Sequence, residues 1–284
     1  MKISYLGPDG SYSHIAAQNI FGEKAQYLPA NTITNALHDL SSGLVDRALV
    51  PVENSSSGGV AETIEAFQRI EGIFINNEYV LPIEHALLVP KSCEDLTDIT
   101  EVRAHHMALN QCMDYIRAKL PNAEILPSSS NSFAAKILST KLKDNVNLKS
   151  AVIASEACGE IYDLKLEETK INDADTNETR FWICSKEPAE MKAQVKNKTT
   201  ILFQTKDEPG SLQTVLRLFA VNSINLSRIE SRPAKRNIGE YLFLVDFDLH
   251  RDDSRYEDLL RQIRQHFTYY KWLGSYSLIE GNLA

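Results

Sequence analysis

The sequence has few cysteines, and none of them are spaced as metal or redox pairs. Four occur in 284 residues, at Cys93, Cys112, Cys158 and Cys184, and no C-x-x-C pair is among them. This spacing argues against a zinc site and against a disulfide framework. We therefore expect buried free thiols and no metal site.

The chain also lacks an excess of positive charge and any long apolar segment. Lys and Arg number 30 against 38 Asp and Glu, a net charge of −8, which disfavours nucleic acid and acidic membranes as partners. The apolar run from Val80 to Pro90 is interrupted by Glu84 and His85, and the N-terminus carries no secretory h-region. We expect a cytoplasmic protein that needs a local positive pocket for any anionic substrate.

Glycine is sparse as well, and the G-x-G-x-x-G dinucleotide fingerprint is absent. A first strand, Lys2 to Leu6, stops at a glycine and proline turn, and Ser11 or Ser13 is placed to cap a following helix. Such a loop offers backbone N–H groups and a helix dipole to an anion. A plain tight connection between strand and helix explains the same residues.

Loops rich in hydroxyl groups follow several predicted strands. One of them, Pro51 to Gly59, joins Glu53 and Asn54 to three serines that include Ser55. Ligands of open α/β sheets bind beyond the carboxyl ends of the strands, although a solvated serine-rich turn explains this loop equally well. The pattern recurs at residues 124–132 and 151–155. We predict an α/β, doubly wound catalytic domain in two lobes over residues 1–185, like a periplasmic binding protein, with a cleft suited to a small polyanion.

Histidines stand at two places where a ligand is conceivable. His105 and His106 lie at a junction between a predicted strand and helix, with no third ligand at metal spacing, so we treat them as hydrogen-bonding candidates. His85 lies in an apolar strand, where a histidine is more often a core residue. The helix after His106 is predicted as one amphipathic segment with a single apolar face: Leu109, Cys112, Ile116 and Leu120.

A hydroxyl, a fixed cation and an aromatic ring stand side by side at Thr179, Arg180 and Phe181, at the start of an apolar run that predicts a buried strand. A hydroxyl can donate a proton to a departing oxygen without carrying charge, and a guanidinium can hold a carboxylate in a bidentate fork. Taken alone, the triplet is more simply explained as a strand entrance with a satisfied hydroxyl.

The pattern changes after residue 185. Residues 186–198 are polar and charged and predict a linker. Residues 199–284 then follow the order strand, helix, strand, strand, helix, strand, which is typical of the α+β ferredoxin-like module.

Taken in order, these motifs resemble prephenate dehydratase carrying a C-terminal regulatory ACT domain. Each motif is weak evidence alone, but the ordered set spans nearly the whole chain. The matching residues are Gly7-Pro8-Asp9-Gly10-Ser11-Tyr12-Ser13, Pro51-Val52-Glu53-Asn54-Ser55, Ala108-Leu109 with Gln111-Cys112, Ala134-Ala135, Thr179-Arg180-Phe181, Gly210-Ser211-Leu212 and Glu230-Ser231-Arg232-Pro233.

The resemblance implies conversion of prephenate to phenylpyruvate, water and carbon dioxide, with no metal and no organic cofactor. Since the ring becomes aromatic once carboxylate and hydroxyl leave, the protein mainly orients the dianion and protonates the leaving hydroxyl. Thr179 would donate to that hydroxyl, and Arg180 would hold a carboxylate or the loop. The implied catalytic residues are Thr179, Arg180, Glu53 and Asn54. The implied substrate contacts are Ser11, Ser13, Ser55, His105 and Phe181.

In the second domain the resemblance implies a phenylalanine site at a dimer interface, within a homodimer or homotetramer assembled through the ACT domains. Two segments would form it, and Glu230 or nearby carbonyls would meet the ammonium group. The implied effector residues are Gly210, Ser211, Leu212, Glu230, Ser231, Arg232 and Pro233.

One segment departs from the family pattern. Ala104 to Leu109 reads Ala-His-His-Met-Ala-Leu where the family usually has Ser-His-Pro-Gln-Ala-Leu. The loss of polar groups gives weight to a non-aromatising prephenate decarboxylase, whereas the presence of Thr179 weighs against it. A non-catalytic amino-acid sensor on the same fold and an arogenate-specific dehydratase are further alternatives.

Overall fold

The computed structural model describes residues 1–174, 176–190, 197–234 and 240–279. Its strands are β1 (Lys2–Leu6), β2 (Gln26–Ala30), β3 (Arg47–Asn54), β4 (Gly58–Gly59), β5 (Phe74–Pro82), β6 (Ala86–Val89), β7 (Glu101–His105), β8 (Glu124–Ser128), β9 (Ser150–Ala154), β10 (Lys165–Glu168), β11 (Glu178–Ser185), β12 (Asn197–Thr205), β13 (Leu226–Pro233), β14 (Tyr241–Phe247) and β15 (Phe267–Leu278). Its helices are α1 (Tyr12–Phe21), α2 (Ile33–Ser41), α3 (Ala61–Arg69), α4 (His106–Gln111), α5 (Met113–Lys119), α6 (Asn131–Leu142), α7 (Ala157–Ile161), α8 (Ser211–Val221) and α9 (Ser254–Arg264). Within these ranges, no helix is both long and apolar enough to span a bilayer.

The first two-thirds of the chain form two α/β lobes, each built on its own sheet. Lobe 1 contains the strand order β5-β11-β3-β1-β2, and lobe 2 the order β10-β6-β9-β7-β8. Each lobe contains three parallel strands, β1, β2 and β3 in lobe 1 and β7, β8 and β9 in lobe 2, as expected where helices cover the two faces of a sheet. β9, with the sequence SAVIA, is buried at every position, which is the pattern of a central strand.

The chain passes between the lobes twice. Residues 83–85 lead from β5 to β6, and the chain returns ahead of β11. Backbone bonds join the two crossing segments: Ile83 N–H donates to Asn177 O at 2.8 Å, and Ile171 N–H donates to His85 O at 3.0 Å. The hinge is therefore a pair of mutually bonded segments.

The C-terminal domain has the predicted βαββαβ order, in β12, α8, β13, β14, α9 and β15. Its sheet runs β13-β14-β12-β15, and β15 then pairs in parallel with β5 through Ser277 and Leu278, which face Asn77 and Glu78. Lobe 1 and the C-terminal domain therefore share one ten-stranded sheet. A common apolar core crosses this boundary and contains Phe67, Trp182, Leu202, Leu244 and Tyr276.

The pleat of β11 decides which residues face the cleft. Phe181 and Ile183 pack with α1, whereas Trp182 and Cys184 pack on the other face, toward the C-terminal domain. Since side chains alternate along a strand, Thr179 lies on the face of Phe181 and Arg180 on the face of Trp182.

The structure differs from the sequence predictions in two elements. The single helix predicted after His106 is broken at Cys112 into α4 and α5. The carbonyl of Gln111 accepts from the Asp173 N–H at 2.7 Å instead of from an N–H further along the helix. The Asp173 carboxylate in turn accepts from the Asp114 N–H at the start of α5. Of the predicted linker 186–198, residues 197 and 198 belong to β12, and residues 191–196 lie outside the described residues.

Gly274 sits where β15 passes closest to lobe 1. It has φ +155°, and an added Cβ would lie 2.2 Å from the Ile75 carbonyl oxygen. We expect Gly274→Ala to lower the free energy of unfolding by about 3 kcal/mol, because neither backbone can move without breaking the shared sheet. Chemical denaturation measures this.

The matched control is Gly72→Ala, at φ +71° with nothing within 4 Å of the added Cβ. It should cost about 1 kcal/mol, from backbone strain alone. Equal losses in the two variants would contradict the close contact at Ile75.

Candidate active site

Asn54, the last residue of β3, is fixed by the backbone of its own loop. Its Oδ1 accepts from the N–H groups of Ser56 and Ser57 at 3.0 and 3.1 Å. Backbone N–H groups only donate, so they determine which end of the amide is oxygen. The amide nitrogen must therefore point the other way, toward β11.

Thr179 accepts a hydrogen bond from that amide nitrogen. Asn54 Nδ2 donates to Thr179 Oγ1 at 2.9 Å and to Asn177 Oδ1 at 2.8 Å. Among the described residues, no acceptor takes the Thr179 hydroxyl proton, and the residue is partly exposed. Because the oxygen already accepts a hydrogen bond, its proton remains for a group in the cleft.

A second amide continues this arrangement into lobe 2. Asn177, 8% exposed, donates from Nδ2 to Gln111 Oε1 at 3.0 Å. Gln111 belongs to α4, and the helix break at Cys112 leaves it facing the crossing segments. Sequence reasoning placed Gln111 in a family motif but assigned it no role, because its partner lies 66 residues away.

Arg180 and Glu53 lie together on the opposite face of the sheet. Arg180 Nη2 is 3.0 Å from Glu53 Oε2 and 2.9 Å from Asp246 Oδ2, and its Nη1 is 3.2 Å from Glu78 Oε2. The guanidinium is thus committed to three carboxylates, one of them from the C-terminal domain. Because side chains alternate along β11, Arg180 and Glu53 lie on the face opposite to Thr179; of the two roles expected for Arg180, the placement fits holding the loop, and the catalytic roles stay predictions.

The Arg180 cluster is buried as well as charged. The side chains of Arg180, Glu78 and Asp246 are 13%, 3% and 0% exposed. Burial alone lowers the pKa of Arg180, but the Asp246 carboxylate and further negative groups raise it above its usual value. Thr200 donates to the second Asp246 oxygen at 2.7 Å, and Lys198 pairs with Glu78. The cluster is therefore a set of mutually compensating charges.

Strand β13 extends this contact to the loop that carries Asn54. Arg228 Nη2 donates to Val52 O at 3.2 Å, and Arg232 Nη2 donates to Gly59 O at 3.3 Å. Glu230 accepts from both arginines, and a Cβ on Gly59 would lie 2.3 Å from its carboxylate. Two predicted effector residues, Glu230 and Arg232, thus contact the catalytic domain.

The other predicted effector residues lie elsewhere in the C-terminal domain. Gly210, at φ +85°, starts α8, with Ser211 and Leu212 in its first turn. Ser231 and Pro233 are exposed on the edge strand β13. Among the described residues, no hydrogen bond joins the Gly210 turn to β13 in one copy of the chain.

The predicted substrate contacts fall into two groups. Ser11 caps α1, accepting from His14 N–H at 3.2 Å and donating to Leu6 O at 2.9 Å. Ser55 ties its loop to the residues ahead of β11 through Thr176 O and Glu178 N. Phe181 is 1% exposed within the core. Each of these three side chains is hydrogen-bonded or packed within the protein, and their roles as substrate contacts stay predictions.

Ser13 and His105 are the remaining predicted contacts. Ser13 is 5% exposed in the first turn of α1. His105 caps α4 through its ring, which accepts from Met107 N–H at 3.4 Å, and its backbone N–H donates to Asn131 at 2.8 Å. Burial, with the neighbouring His106, lowers the pKa of His105. A neutral imidazole therefore stands at this strand end.

Two cavities flank the loop after β1, where Ser155 Oγ donates across the lobes to Gly10 O at 2.6 Å. The larger, of about 780 Å³, carries mainly acidic groups, which disfavour an anion: Glu84, Glu156, Glu160 and Asp163, with Lys91. The smaller, of about 580 Å³, is lined by the loop itself, which includes Asp9, by Ser129 and Ser130 just before α6, and by Lys136 within that helix. Thr179 is in neither lining.

Comparison with known proteins gives consistent matches over the whole chain. A family model described as "Prephenate dehydratase" matches residues 3–189, and one described as "ACT domain" matches residues 199–268. A prephenate dehydratase of Bacillus subtilis (strain 168) is 30% identical over 284 residues, which cover 97% of this chain and 98% of that protein. A bifunctional chorismate mutase/prephenate dehydratase of Aquifex aeolicus (strain VF5) is 34% identical and covers 97% of this chain and 73% of that protein.

Among solved structures, the prephenate dehydratase of Arthrobacter aurescens in complex with L-Phe superimposes with a TM-score of 0.88. It is 32% identical, and the match covers 98% of this chain and 90% of that chain.

The Arg180 cluster makes a prediction for stability. Arg180→Leu leaves Asp246 and Glu78 with less compensation, so we expect it to cost about 3–5 kcal/mol of unfolding free energy. Adding Asp246→Asn to that variant should recover part of the loss, because the uncompensated buried charge is removed. Chemical denaturation of the two single variants and the double variant measures the coupling.

Arg117→Leu serves as the control, because Arg117 is 73% exposed and its ion pair with Asp114 is long, at 3.9 Å. It should change stability by less than about 0.5 kcal/mol. Additive losses for Arg180→Leu and Asp246→Asn would show that the two residues do not act as a pair.

Proposed function

The chain belongs to the prephenate dehydratase family and carries an ACT domain, and on this basis we propose that it converts prephenate to phenylpyruvate. The enzyme is a carbon–oxygen lyase acting in the synthesis of phenylalanine. One observation carries the catalytic assignment: Asn54 donates to the Thr179 oxygen at 2.9 Å, which leaves the hydroxyl proton for the substrate.

The reaction needs few groups from the protein. As carbon dioxide leaves, the electron pair of the broken C–C bond enters the ring, the C–O bond to the hydroxyl breaks, and one proton completes the water. Thr179 donates a hydrogen bond to the departing oxygen as negative charge develops there. A fixed donor of this kind in a cleft typically contributes a large share of the rate.

Asn54 is the residue that we assign to orienting Thr179. Its amide is held by two backbone N–H groups, so its nitrogen faces the Thr179 oxygen without a cost of reorganisation during the reaction. For Arg180, the ion pairs with Glu53 and Asp246 support a role in holding the Asn54 loop and β11, not a substrate carboxylate.

We assign a binding place to the substrate carboxylates from the charged groups that line the two cavities. The 580 Å³ cavity contains one cation, Lys136, one carboxylate, Asp9, and the amino-terminal end of the twelve-residue helix α6, which favours anions. The larger cavity is rich in carboxylates. We therefore assign the smaller cavity, with Ser13 and His105 as further candidates, to the carboxylate end of prephenate.

Regulation by phenylalanine is part of the proposal. Among the described residues, no hydrogen bond joins the Gly210 turn to the Glu230 segment in one copy of the chain, which fits a site completed by a second copy in a homodimer or homotetramer. Glu230 and Arg232 also contact the loop that follows Asn54. An effector that moved β13 would therefore act directly on the catalytic loop. A cytoplasmic location belongs to the same proposal.

The test is turnover of prephenate by wild type, Thr179→Ala and Thr179→Ser, followed as phenylpyruvate absorbance in alkali, with and without phenylalanine. Thr179→Ala should lower kcat by about a hundredfold, because the donor to the leaving hydroxyl is lost. Thr179→Ser keeps the hydroxyl and should retain most of the activity. Phenylalanine should change the wild-type rate.

Product analysis separates the alternatives. Consumption of prephenate without formation of phenylpyruvate would identify a non-aromatising decarboxylase. If no prephenate is consumed, the non-catalytic amino-acid sensor is the remaining alternative. An unchanged kcat in Thr179→Ala would remove Thr179 from the mechanism while leaving the dehydratase activity in place.

A further inference from the structure

We infer that His85 and Tyr12 are positioning residues for Thr179, acting through Gln111, Asn177 and Asn54. The inference rests on the proposed function, since it concerns the hydroxyl assigned there as the donor. Neither residue was assigned to the site from the sequence, and His85 was interpreted there as an ordinary core histidine.

The direction of every hydrogen bond in this network follows from the backbone. The N–H groups of Ser56 and Ser57 fix the Asn54 oxygen, so the Asn54 nitrogen faces Asn177 and meets its oxygen at 2.8 Å. The Asn177 nitrogen must then face Gln111, where it meets the amide oxygen at 3.0 Å. The Gln111 oxygen is thereby fixed as an acceptor.

His85 is consequently held in one tautomer. Its Nε2 lies 2.9 Å from the Gln111 oxygen, which can only accept, so Nε2 carries a proton and donates. Its Nδ1 is then unprotonated and lies 2.6 Å from the Tyr12 hydroxyl, whose single proton is shared between Nδ1 and the Glu84 carbonyl oxygen at 2.8 Å. Burial lowers the pKa of His85 and raises that of Tyr12, which keeps the imidazole neutral and the phenol protonated.

The network joins both lobes at the hinge. Tyr12 comes from α1 of lobe 1 and Gln111 from α4 of lobe 2, with His85 between them on the crossing segment. The His85 backbone is held on both sides, with its N–H donating to Asn172 Oδ1 at 2.7 Å and its carbonyl accepting from Ile171. Closure of the lobes and the direction of the Gln111 amide are therefore linked.

Loss of the His85 donor has a defined consequence. Without a proton from Nε2, the Gln111 oxygen keeps only the Asn177 donor, so the Gln111 side chain is held by one hydrogen bond instead of two. Asn177 is then held less firmly at its nitrogen, and so is its oxygen, which accepts from Asn54. The restraint on the amide that holds the Thr179 oxygen is weakened as a result.

Three substitutions at His85 distinguish positioning from packing. The amide nitrogen of glutamine reaches the Nε2 position, that of asparagine reaches the Nδ1 position, and leucine supplies neither. We expect His85→Leu and His85→Asn to lower kcat by about tenfold or more with little change in KM, since small misplacements cost that much or more. His85→Gln restores the donor to Gln111 and should recover most of the loss.

Tyr12→Phe gives a second readout that does not depend on turnover. Nitrogen NMR of the histidines should show His85 of the wild type protonated at Nε2 and unprotonated at Nδ1. Tyr12→Phe removes the donor to Nδ1 but leaves the Gln111 oxygen in place, so His85 should keep its Nε2–H tautomer while its Nδ1 resonance shifts with the loss of that hydrogen bond. An imidazole protonated at Nδ1 in the wild type, or an Nδ1 resonance that Tyr12→Phe leaves unchanged, would overturn the inference.

The activity controls separate this inference from the proposed function. His250, a second buried histidine at 2% exposure, lies in the C-terminal domain, and His250→Gln should leave kcat unchanged. Equal kcat in wild type and His85→Leu, or equal losses in His85→Leu and His85→Gln at matched thermal midpoints, would overturn the positioning role. A wild type that makes no phenylpyruvate would instead overturn the proposed function. The NMR result on the His85 tautomer does not depend on turnover and would be unaffected.

Discussion

The pleat of β11 is the constraint on which the site depends. Thr179 and Arg180 are neighbours in sequence, and alternation sends their side chains to opposite faces of one strand. One accepts a hydrogen bond from Asn54, and the other enters a cluster of carboxylates shared with the C-terminal domain. A shift of the Arg180 backbone is therefore a shift of the Thr179 backbone, and the Thr179 hydroxyl and the domain interface depend on the same strand.

The buried charges at that interface are compensated by neighbouring side chains of opposite charge, not by solvent. Glu78 and Asp246 are almost fully buried, and each is compensated by cations, Arg180 for both and Lys198 for Glu78. Buried ion pairs contribute little net stability over apolar groups, but removing one partner is costly. The cluster therefore favours one docking arrangement of the two domains over its neighbours.

Most of the fold was predictable from the sequence, and the prediction of two α/β lobes followed by a βαββαβ module is confirmed. Apolar periodicity and the positions of turns carry that information locally. Thr179 and Asn54 could be expected near each other, since each ends or begins a strand at the same edge. The sheet face on which Arg180 and Glu53 lie could not be predicted, because it depends on which side of the sheet the C-terminal domain covers.

The network around Gln111 was hidden for a different reason. Its carbonyl bonds to Asp173 and its side chain to Asn177, both far along the chain, and these contacts break a helix whose apolar spacing is continuous. Local periodicity carries no signal for such a break. His85 likewise has the apolar neighbours of a core residue, and only the three-dimensional arrangement places a donor, Tyr12, on one side of its ring and an acceptor, Gln111, on the other.

The shared sheet has a consequence for how the molecule can move. Among the described residues, main-chain pairing between β15 and β5 makes the sheet continuous from lobe 1 into the C-terminal domain. Lobe 2 has a sheet of its own and joins this structure through the two crossing segments and through contacts such as the buried Ser155–Gly10 hydrogen bond. A displacement of the edge strand β13 would therefore pass along paired strands to β11, which carries Thr179, without crossing from one sheet to another.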